Sequence, residues 1–228
     1  MLVKTKNNMG ANMSNTTKRI VAGIVMVAII GLIALLQSWG VPAVRWVAVI
    51  IAIGMITEMV LALLRAKASL ITKDRNYIAF FGFLAWLIIV LLSAYNVGSR
   101  PWIMLLLLMI ICAADIGAWF FGTILGGDKM WEHISPHKTW AGQIAGIMCG
   151  TFASILYGLL GTDAFLPQLL WIGISVSLLS QYGDLTASWI KRRLKLKDFG
   201  NIIPGHGGFL DRFDGWIYAL PIIWFVMI

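Results

Sequence analysis

The sequence predicts an all-α, polytopic integral membrane protein, a helical bundle of about seven transmembrane helices with its N-terminus in the cytoplasm. Three observations support this prediction. The 228 residues are 60% hydrophobic and only 12% charged, whereas soluble domains have roughly 25% charged residues. Apolar runs long enough to cross about 30 Å of hydrocarbon recur along the chain. Lys and Arg residues gather in the connections on one side of those runs.

The apolar runs define the order of the helices. The first 19 residues are rich in Asn, Lys and Met and have no apolar period, so we expect residues 1–19 to be disordered or interfacial. Residues 20–100 are assigned to N-terminal transmembrane helices, and residues 101–228 to a second transmembrane region. The candidate spans are residues 20–37, 43–64, 77–95, 101–122, 140–160, 166–190 and 212–228.

The distribution of basic residues predicts the orientation. With the N-terminus inside, every Lys and Arg except Arg45 and Arg100 lies on the cytoplasmic side. The two longer polar segments, 123–139 and 191–211, then also face the cytoplasm. The preference of Lys and Arg for the cytoplasmic side of membrane proteins accounts for the formal charge of +8, so no nucleic-acid partner is expected. The absence of a eukaryotic targeting segment favours the inner membrane of a bacterial cell.

Small residues recur every four positions in the span 140–160. They remove the side chains from one helix face and allow another helix to approach closely. The partner helix could belong to the same bundle or to the second copy in a homodimer, and the sequence leaves both open. The residues of this stripe are Gly142, Gly146, Gly150, Ser154 and Gly158.

Three carboxylates lie inside the predicted spans. Glu58, Asp115 and Asp184 each precede the cytoplasmic end of their helix by six or seven residues, which is about 10 Å at 1.5 Å per residue. A carboxylate in hydrocarbon needs a cation, a metal or water around it. Their common depth suggests one shared polar cavity. For each of them, and for Glu58 above all, the alternative is a structural hydrogen bond between helices.

The last of these carboxylates leads into a charged run. Asp184, Ser188, Lys191 and Arg192 recur at i, i+4, i+7 and i+8, so they share one helix face. That face could hold a metal at its buried end and a phosphate at its exposed end. Carboxylate oxygens suit Mg²⁺, which proteins usually hold with one or two carboxylates together with substrate phosphates.

Two further segments have the composition of phosphate-contacting sites. In the first, Ser135, Lys138 and Thr139 follow a glycine-rich turn, although the spacing is not that of a P-loop. In the second, a glycine turn with amides that could cradle an anion precedes a further acidic and basic cluster. Its candidate residues, together with the lysine before the turn, are Lys197, His206, Gly207, Gly208, Asp211, Arg212 and Asp214.

These residues resemble the phosphatidate cytidylyltransferase family, the integral-membrane CDP-diacylglycerol synthases. The family signature reads Ser-x-x-Lys-Arg-x4-Lys-Asp-x-Gly-x2-Ile-Pro-x-His-Gly-Gly-x-x-Asp-Arg-x-Asp, and residues 188–214 match it without a gap. The segment Asp115-x2-Ala118-x3-Gly122, followed by Ser135-Pro136-x-Lys138-Thr139-Trp140-x-Gly142, is also similar to the family. Over the first hundred residues the resemblance is one of hydropathy only.

The resemblance implies transfer of a cytidylyl group from CTP to phosphatidic acid, giving CDP-diacylglycerol and pyrophosphate. It implies Mg²⁺ at a two-cation site, with Asp184 and Asp211 as metal ligands and a monovalent ion as the candidate second cation. The expected catalytic residues are Asp184, Lys191, Arg192, Asp211 and Asp214. The expected substrate-binding residues are Ser135, Lys138, Thr139, Ser188, Lys197, His206, Gly207, Gly208 and Arg212.

Two other functions remain as alternatives. A membrane CDP-alcohol phosphotransferase also uses paired aspartates, but only Asp214-Gly215 matches the opening of its motif, and its later aspartates are missing. An ion transporter would also place carboxylates inside spans. It would need polar residues that continue to the outer leaflet, and the outer halves of these spans are nearly free of charge.

Overall fold

The computed structural model describes residues 31–33, 35–66, 76–159, 166–200 and 207–227. These residues form helices with one small antiparallel hairpin. The helices are α1 (Ala43–Arg65), α2 (Asn76–Val97), α3 (Pro101–Leu125), α4 (Trp140–Leu159), α5 (Leu166–Arg193), α6 (Phe209–Arg212) and α7 (Trp216–Met227), and the strands are β1 (Lys129–Trp131) and β2 (Ser135–Thr139).

The prediction of a helical membrane bundle is confirmed. Helices α1 to α4 are long and apolar enough to cross a membrane, and α7 is a shorter apolar helix. Helix α5 has 28 residues, but its second half carries polar and charged side chains, including the first residues of the signature. The first predicted span, 20–37, lies mostly outside the described residues, although 31–33 and 35–38 are helical. The protein is therefore a multi-pass, α-helical membrane protein.

The last span begins later than predicted. We expected it at residue 212, but α7 starts at Trp216 because the short helix α6 ends at Arg212 and a turn follows. In this turn the amide of Gly215 donates a hydrogen bond of 2.8 Å to Oδ1 of Asp214. The turn therefore places Asp214 just before the first residue of the last helix, outside its apolar part.

The small-residue stripe of α4 packs inside the bundle. A Cβ atom on Gly142 or Gly146 would lie 2.6 or 2.8 Å from a backbone carbonyl oxygen of α3, that of Ala118 or Ala114. A Cβ atom on Gly158 would overlap with a side chain of α5, that of Leu169. Within the described residues the stripe thus brings α4 against α3 and α5, and internal packing alone accounts for its small side chains.

The polar segment 123–139 contains a hairpin that we did not predict. Strands β1 and β2 pair antiparallel, with Lys129 opposite Thr139 and Trp131 opposite Ser135. The chain leaves α3 through Gly126 and Gly127, whose φ angles of +62° and +90° favour glycine. The hairpin returns the chain directly to the first residue of α4, so its second strand lies beside the ends of α3 and α4.

Candidate active site

A cavity of about 650 Å³ lies between α3, α4, α5 and the hairpin. Its walls carry charges of both signs in an otherwise apolar bundle, which is the expected composition of a site for a charged ligand. The tight α3–α4 contact forms its floor, because Gly122 and Gly142 both line it. Its polar lining consists of Asp115, Thr123, Lys129, His137, Lys138, Thr139, Gln143, Gln181 and Asp184.

Asp184 is held in this cavity by two side chains. Lys138, from β2, forms an ion pair of 2.7 Å with Oδ2 of Asp184, and Ser188 donates a hydrogen bond of 3.2 Å to Oδ1. Lys138 also donates to the backbone carbonyl of Gln181 at 3.4 Å. The Asp184 side chain remains 39% exposed, so it stays accessible to a ligand. The hairpin thus brings a predicted phosphate-binding lysine to a predicted metal ligand.

Asp214 approaches the same cluster from the turn before α7. The carbonyl oxygen of Asp214 packs directly on Gly183, where any side chain would overlap with it. Burial raises the pKa of the Asp214 carboxyl well above its usual value, and the negative charge of Asp184 raises it further, while Lys191 acts in the opposite direction. A third carboxylate, Asp115, adds to this repulsion from α3. Clustered carboxylates of this kind call for a cation.

The donor set fits a magnesium ion that is completed by substrate. The described residues contain no group of three or more His, Cys, Asp and Glu side chains set to hold a metal. Mg²⁺ does not need such a group, since one or two carboxylates, waters and substrate phosphates usually hold it. Asp184 lines the cavity, and Asp214 interacts electrostatically with Asp184, so hard oxygen ligands are present that fit this metal.

Asp211 has a different environment from Asp184. Its Oδ1 forms an ion pair of 2.9 Å with Lys191, and both side chains are largely buried, at 6% and 13% exposure. Its Oδ2 accepts hydrogen bonds from the backbone amides of Phe199 at 2.9 Å and Gly208 at 3.1 Å. Both oxygens of Asp211 bind protein donors, as those of Asp184 do, but Asp211 is far less exposed to a ligand. Its role as a metal ligand stays a prediction.

The other predicted site residues lie around this core. Arg192 is exposed and donates from Nε to the carbonyl of Ile134 in the hairpin turn at 3.4 Å. Thr139 is buried, and its hydroxyl accepts the amide of Gly142 at 3.1 Å, as an N-cap of α4 does. Ser135 pairs with Trp131 in the hairpin, Lys197 and Arg212 are exposed, and His206 lies outside the described residues.

The expectation of three carboxylates in one cavity holds for two of them. Asp115 and Asp184 do share the cavity. Glu58 is instead 1% exposed and accepts the amides of Phe209 and Leu210, so the shared-cavity prediction is wrong for Glu58 and the alternative, a structural hydrogen bond, is what the structure shows. Sequence reasoning also missed Gln143 and Gln181, although buried glutamines in apolar helices are a signal that could have identified them.

Comparison with known proteins shows the family of this chain. A family model described as "Cytidylyltransferase family" matches residues 8–228. A phosphatidate cytidylyltransferase of Rickettsia bellii is 33% identical over 93% of this chain and 91% of its own length. Proteins with the same name from Bacillus subtilis and Staphylococcus aureus are 41% and 40% identical over 52% and 50% of this chain. In both of these the aligned region covers 45% of the relative's length.

The resemblance found in the signature is thus shown over nearly the whole chain, including the first hundred residues where only hydropathy had suggested it. The match spans the hairpin, α5 and the turn before α7, which supply the clustered charges of the cavity. The chain belongs to the cytidylyltransferase family.

Proposed function

We propose that this protein transfers the cytidylyl group of CTP to phosphatidic acid, giving CDP-diacylglycerol and pyrophosphate for phospholipid synthesis. The observation that carries the proposal is the Lys138–Asp184 pair in a cavity of a membrane-embedded bundle, with Asp115 and Asp214 beside it. Relatives that bear the name phosphatidate cytidylyltransferase support the same reaction.

The reaction joins two anions, so the site must first offset their repulsion. A phosphate oxygen of the lipid attacks the α-phosphorus of CTP, and the bond from that phosphorus to the pyrophosphate oxygen breaks on the opposite side. The lipid phosphate is already a nucleophile, so no side chain has to remove a proton from it. Lys138 and Lys191 supply fixed positive charge, and Arg192 adds to it at the exposed end of α5.

We propose Mg²⁺ as the cofactor, and a monovalent cation remains the candidate for a second site. Asp184 would hold the metal together with Asp214. Asp211 would take part instead if the metal replaced Lys191 as its ionic partner. A bound Mg²⁺ would neutralise phosphate charge and orient CTP. The exposed Oδ atoms of Asp184, already fixed by Lys138 and Ser188, make this aspartate the better placed of the two predicted ligands.

The cavity adjoins the lipid-facing surface of α3. Trp119 lines the cavity and is 71% exposed, and Ile116 and Phe120 on the same helix are also exposed. A phosphate head group could therefore enter the polar cavity while its acyl chains stay in the bilayer. We place this face on the cytoplasmic side of the inner membrane, where CTP is available, on the basis of the Lys and Arg distribution.

An omission experiment tests the proposal. Purified protein in detergent would be assayed for pyrophosphate release with CTP, phosphatidic acid and Mg²⁺, and with each component left out in turn. Release that requires all three is the expected result. Protein that is folded and monodisperse but releases no pyrophosphate in the complete mixture would contradict the proposed function.

A further inference from the structure

Glu58 lies on α1, far in sequence from the signature, and yet binds its backbone. Its Oε1 accepts the amide of Phe209 at 2.9 Å, and its Oε2 accepts the amide of Leu210 at 2.8 Å. The side chain is 1% exposed, so these hydrogen bonds are shielded from water. A buried carboxylate that accepts two amides is strongly oriented, because charge-assisted hydrogen bonds are stronger and more directional than neutral ones.

Two glycines of the signature fit against this carboxylate. A Cβ atom on Gly200 would lie 2.6 Å from Oε1 of Glu58, and one on Gly208 would overlap with both oxygens. These positions are on either side of residues 201–206, so Glu58 contacts the described chain at both ends of that segment. The absence of side chains at both positions is therefore explained by Glu58 rather than by a turn.

The same segment carries Asp211. Three successive amides are taken by carboxylates, that of Gly208 by Asp211 and those of Phe209 and Leu210 by Glu58. Asp211 in turn pairs with Lys191 of α5. A shift of the 208–210 backbone would therefore move Asp211 and, through it, the lysine that we assign to the active site.

We propose that Glu58 is a positioning residue for the reaction: from α1 it fixes the Gly208–Asp211 backbone and thereby holds the Asp211–Lys191 pair in its working geometry. Glu58 touches neither substrate nor metal in this account. The expected effect of Glu58 on turnover rests on the proposed function, but the effect of Glu58 on the backbone can be measured separately. It also gives the N-terminal half a specific part in the activity of the C-terminal half.

The main test substitutes Glu58→Gln, which keeps the size of the side chain. One accepting oxygen becomes an NH₂ group that faces a backbone N–H, so one hydrogen bond is lost. Hydrogen exchange followed by mass spectrometry, on a peptide covering 207–215, should show the Phe209 and Leu210 amides exchanging about tenfold faster. A peptide from the hairpin at 129–139 should be unchanged. This readout does not depend on any activity.

Turnover provides the second readout. For the fraction of protein that elutes as folded and monodisperse, kcat should fall about tenfold or more in Glu58→Gln, because a displacement of about 1 Å can cost a factor of a hundred. Thr57→Val is the matched control: this neighbour is exposed, and among the described residues its hydroxyl donates to the carbonyl of Ile53 within α1. It should keep the exchange and kcat of the native protein.

A second variant covers the case in which Glu58→Gln does not fold. A Cβ on Gly54 would lie 2.7 Å from the ring of Phe209, so Gly54→Ala pushes the same segment and leaves Glu58 intact. It should also accelerate exchange at 207–215 and lower kcat. Unchanged exchange and kcat in the variant that folds would overturn the proposal. Inactive native protein would instead contradict the proposed function, and the exchange data would still decide whether Glu58 fixes the 208–210 backbone.

Discussion

The indole Nε1 of Trp86 donates a hydrogen bond of 2.8 Å to the carbonyl oxygen of Ile217, which links α2 to α7. This carbonyl has no i+4 amide partner within its own helix, because the residue four positions later is Pro221, which has no N–H. Ile217 is fully buried, so water does not replace the missing donor. Trp86 therefore compensates for the proline and anchors the last helix, which directly follows the turn that carries Asp214.

Trp86→Phe should destabilise the protein by about 1–3 kcal/mol, because it leaves the Ile217 carbonyl unsatisfied. Pro221→Ala restores an N–H within α7, so the cost of Trp86→Phe should be much smaller in that background. Thermal unfolding in detergent of the native protein, the two single variants and the double variant gives the coupling energy between the two substitutions. Trp102→Phe is the control, since Trp102 is 71% exposed. Equal costs in both backgrounds would show that the indole does not compensate for the proline.

Asp184→Asn should reduce turnover by about a hundredfold or more and leave the fold intact. The substitution removes charge but little volume, and the side chain is already 39% exposed. The measurement is kcat for CTP-dependent pyrophosphate release, with the elution profile as the check on folding. Asp128→Asn changes an exposed acid beside the hairpin and should have no effect. Near-normal turnover of Asp184→Asn would show that the Asp184 carboxylate is not needed for the reaction.

Lys191→Met should destabilise the protein by about 3 kcal/mol or more, because it leaves the buried carboxylate of Asp211 without its cation. Adding Asp211→Asn should recover part of this loss, although the double variant should remain inactive. The comparison requires unfolding curves for both single variants and the double variant. Additive losses would mean that the 2.9 Å pair contributes nothing to stability.

Gly146→Ala should destabilise the bundle and impair the site together. Its new methyl group would lie 2.7 Å from Nε2 of Gln181 and 2.8 Å from the carbonyl oxygen of Ala114, so α4 must move away from α3 and α5. The expected loss is about 1–3 kcal/mol, with a fall in kcat because the cavity lies between these helices.

The matched control is Gly82→Ala. A Cβ atom at Gly82, within α2, would have no atom within 4 Å. That substitution should raise stability by about 0.5–1 kcal/mol. A destabilising effect of equal size at both glycines would contradict the close approach of α3 and α4.

The sequence predicted the helices and the helix face shared by Asp184 and Ser188 well because each rests on local information. The spans 77–95 and 101–122 are hydrocarbon-length apolar runs with Asn, Gly and Pro at their boundaries, and α2 and α3 agree with them within a few residues. The face shared by Asp184 and Ser188 also follows from helical spacing, and the hydrogen bond between them confirms it.

The parts that were missed depend on contacts between distant residues. Strands of three and five residues are too short for an alternating pattern to reveal, so the hairpin that positions Lys138 was not predicted. Glu58 and Phe209 are 151 positions apart, and no local pattern in an apolar helix indicates which backbone amides a buried carboxylate will bind.

The most direct test of the proposed reaction follows the phosphorus atoms of CTP. Protein in detergent with phosphatidic acid and Mg²⁺ would be given CTP labelled either at the α- or at the γ-phosphate, and the lipid would be extracted. We expect the α label in the lipid fraction and the γ label in pyrophosphate. Label from the γ position in the lipid, or no labelled lipid from folded protein, would contradict cytidylyl transfer.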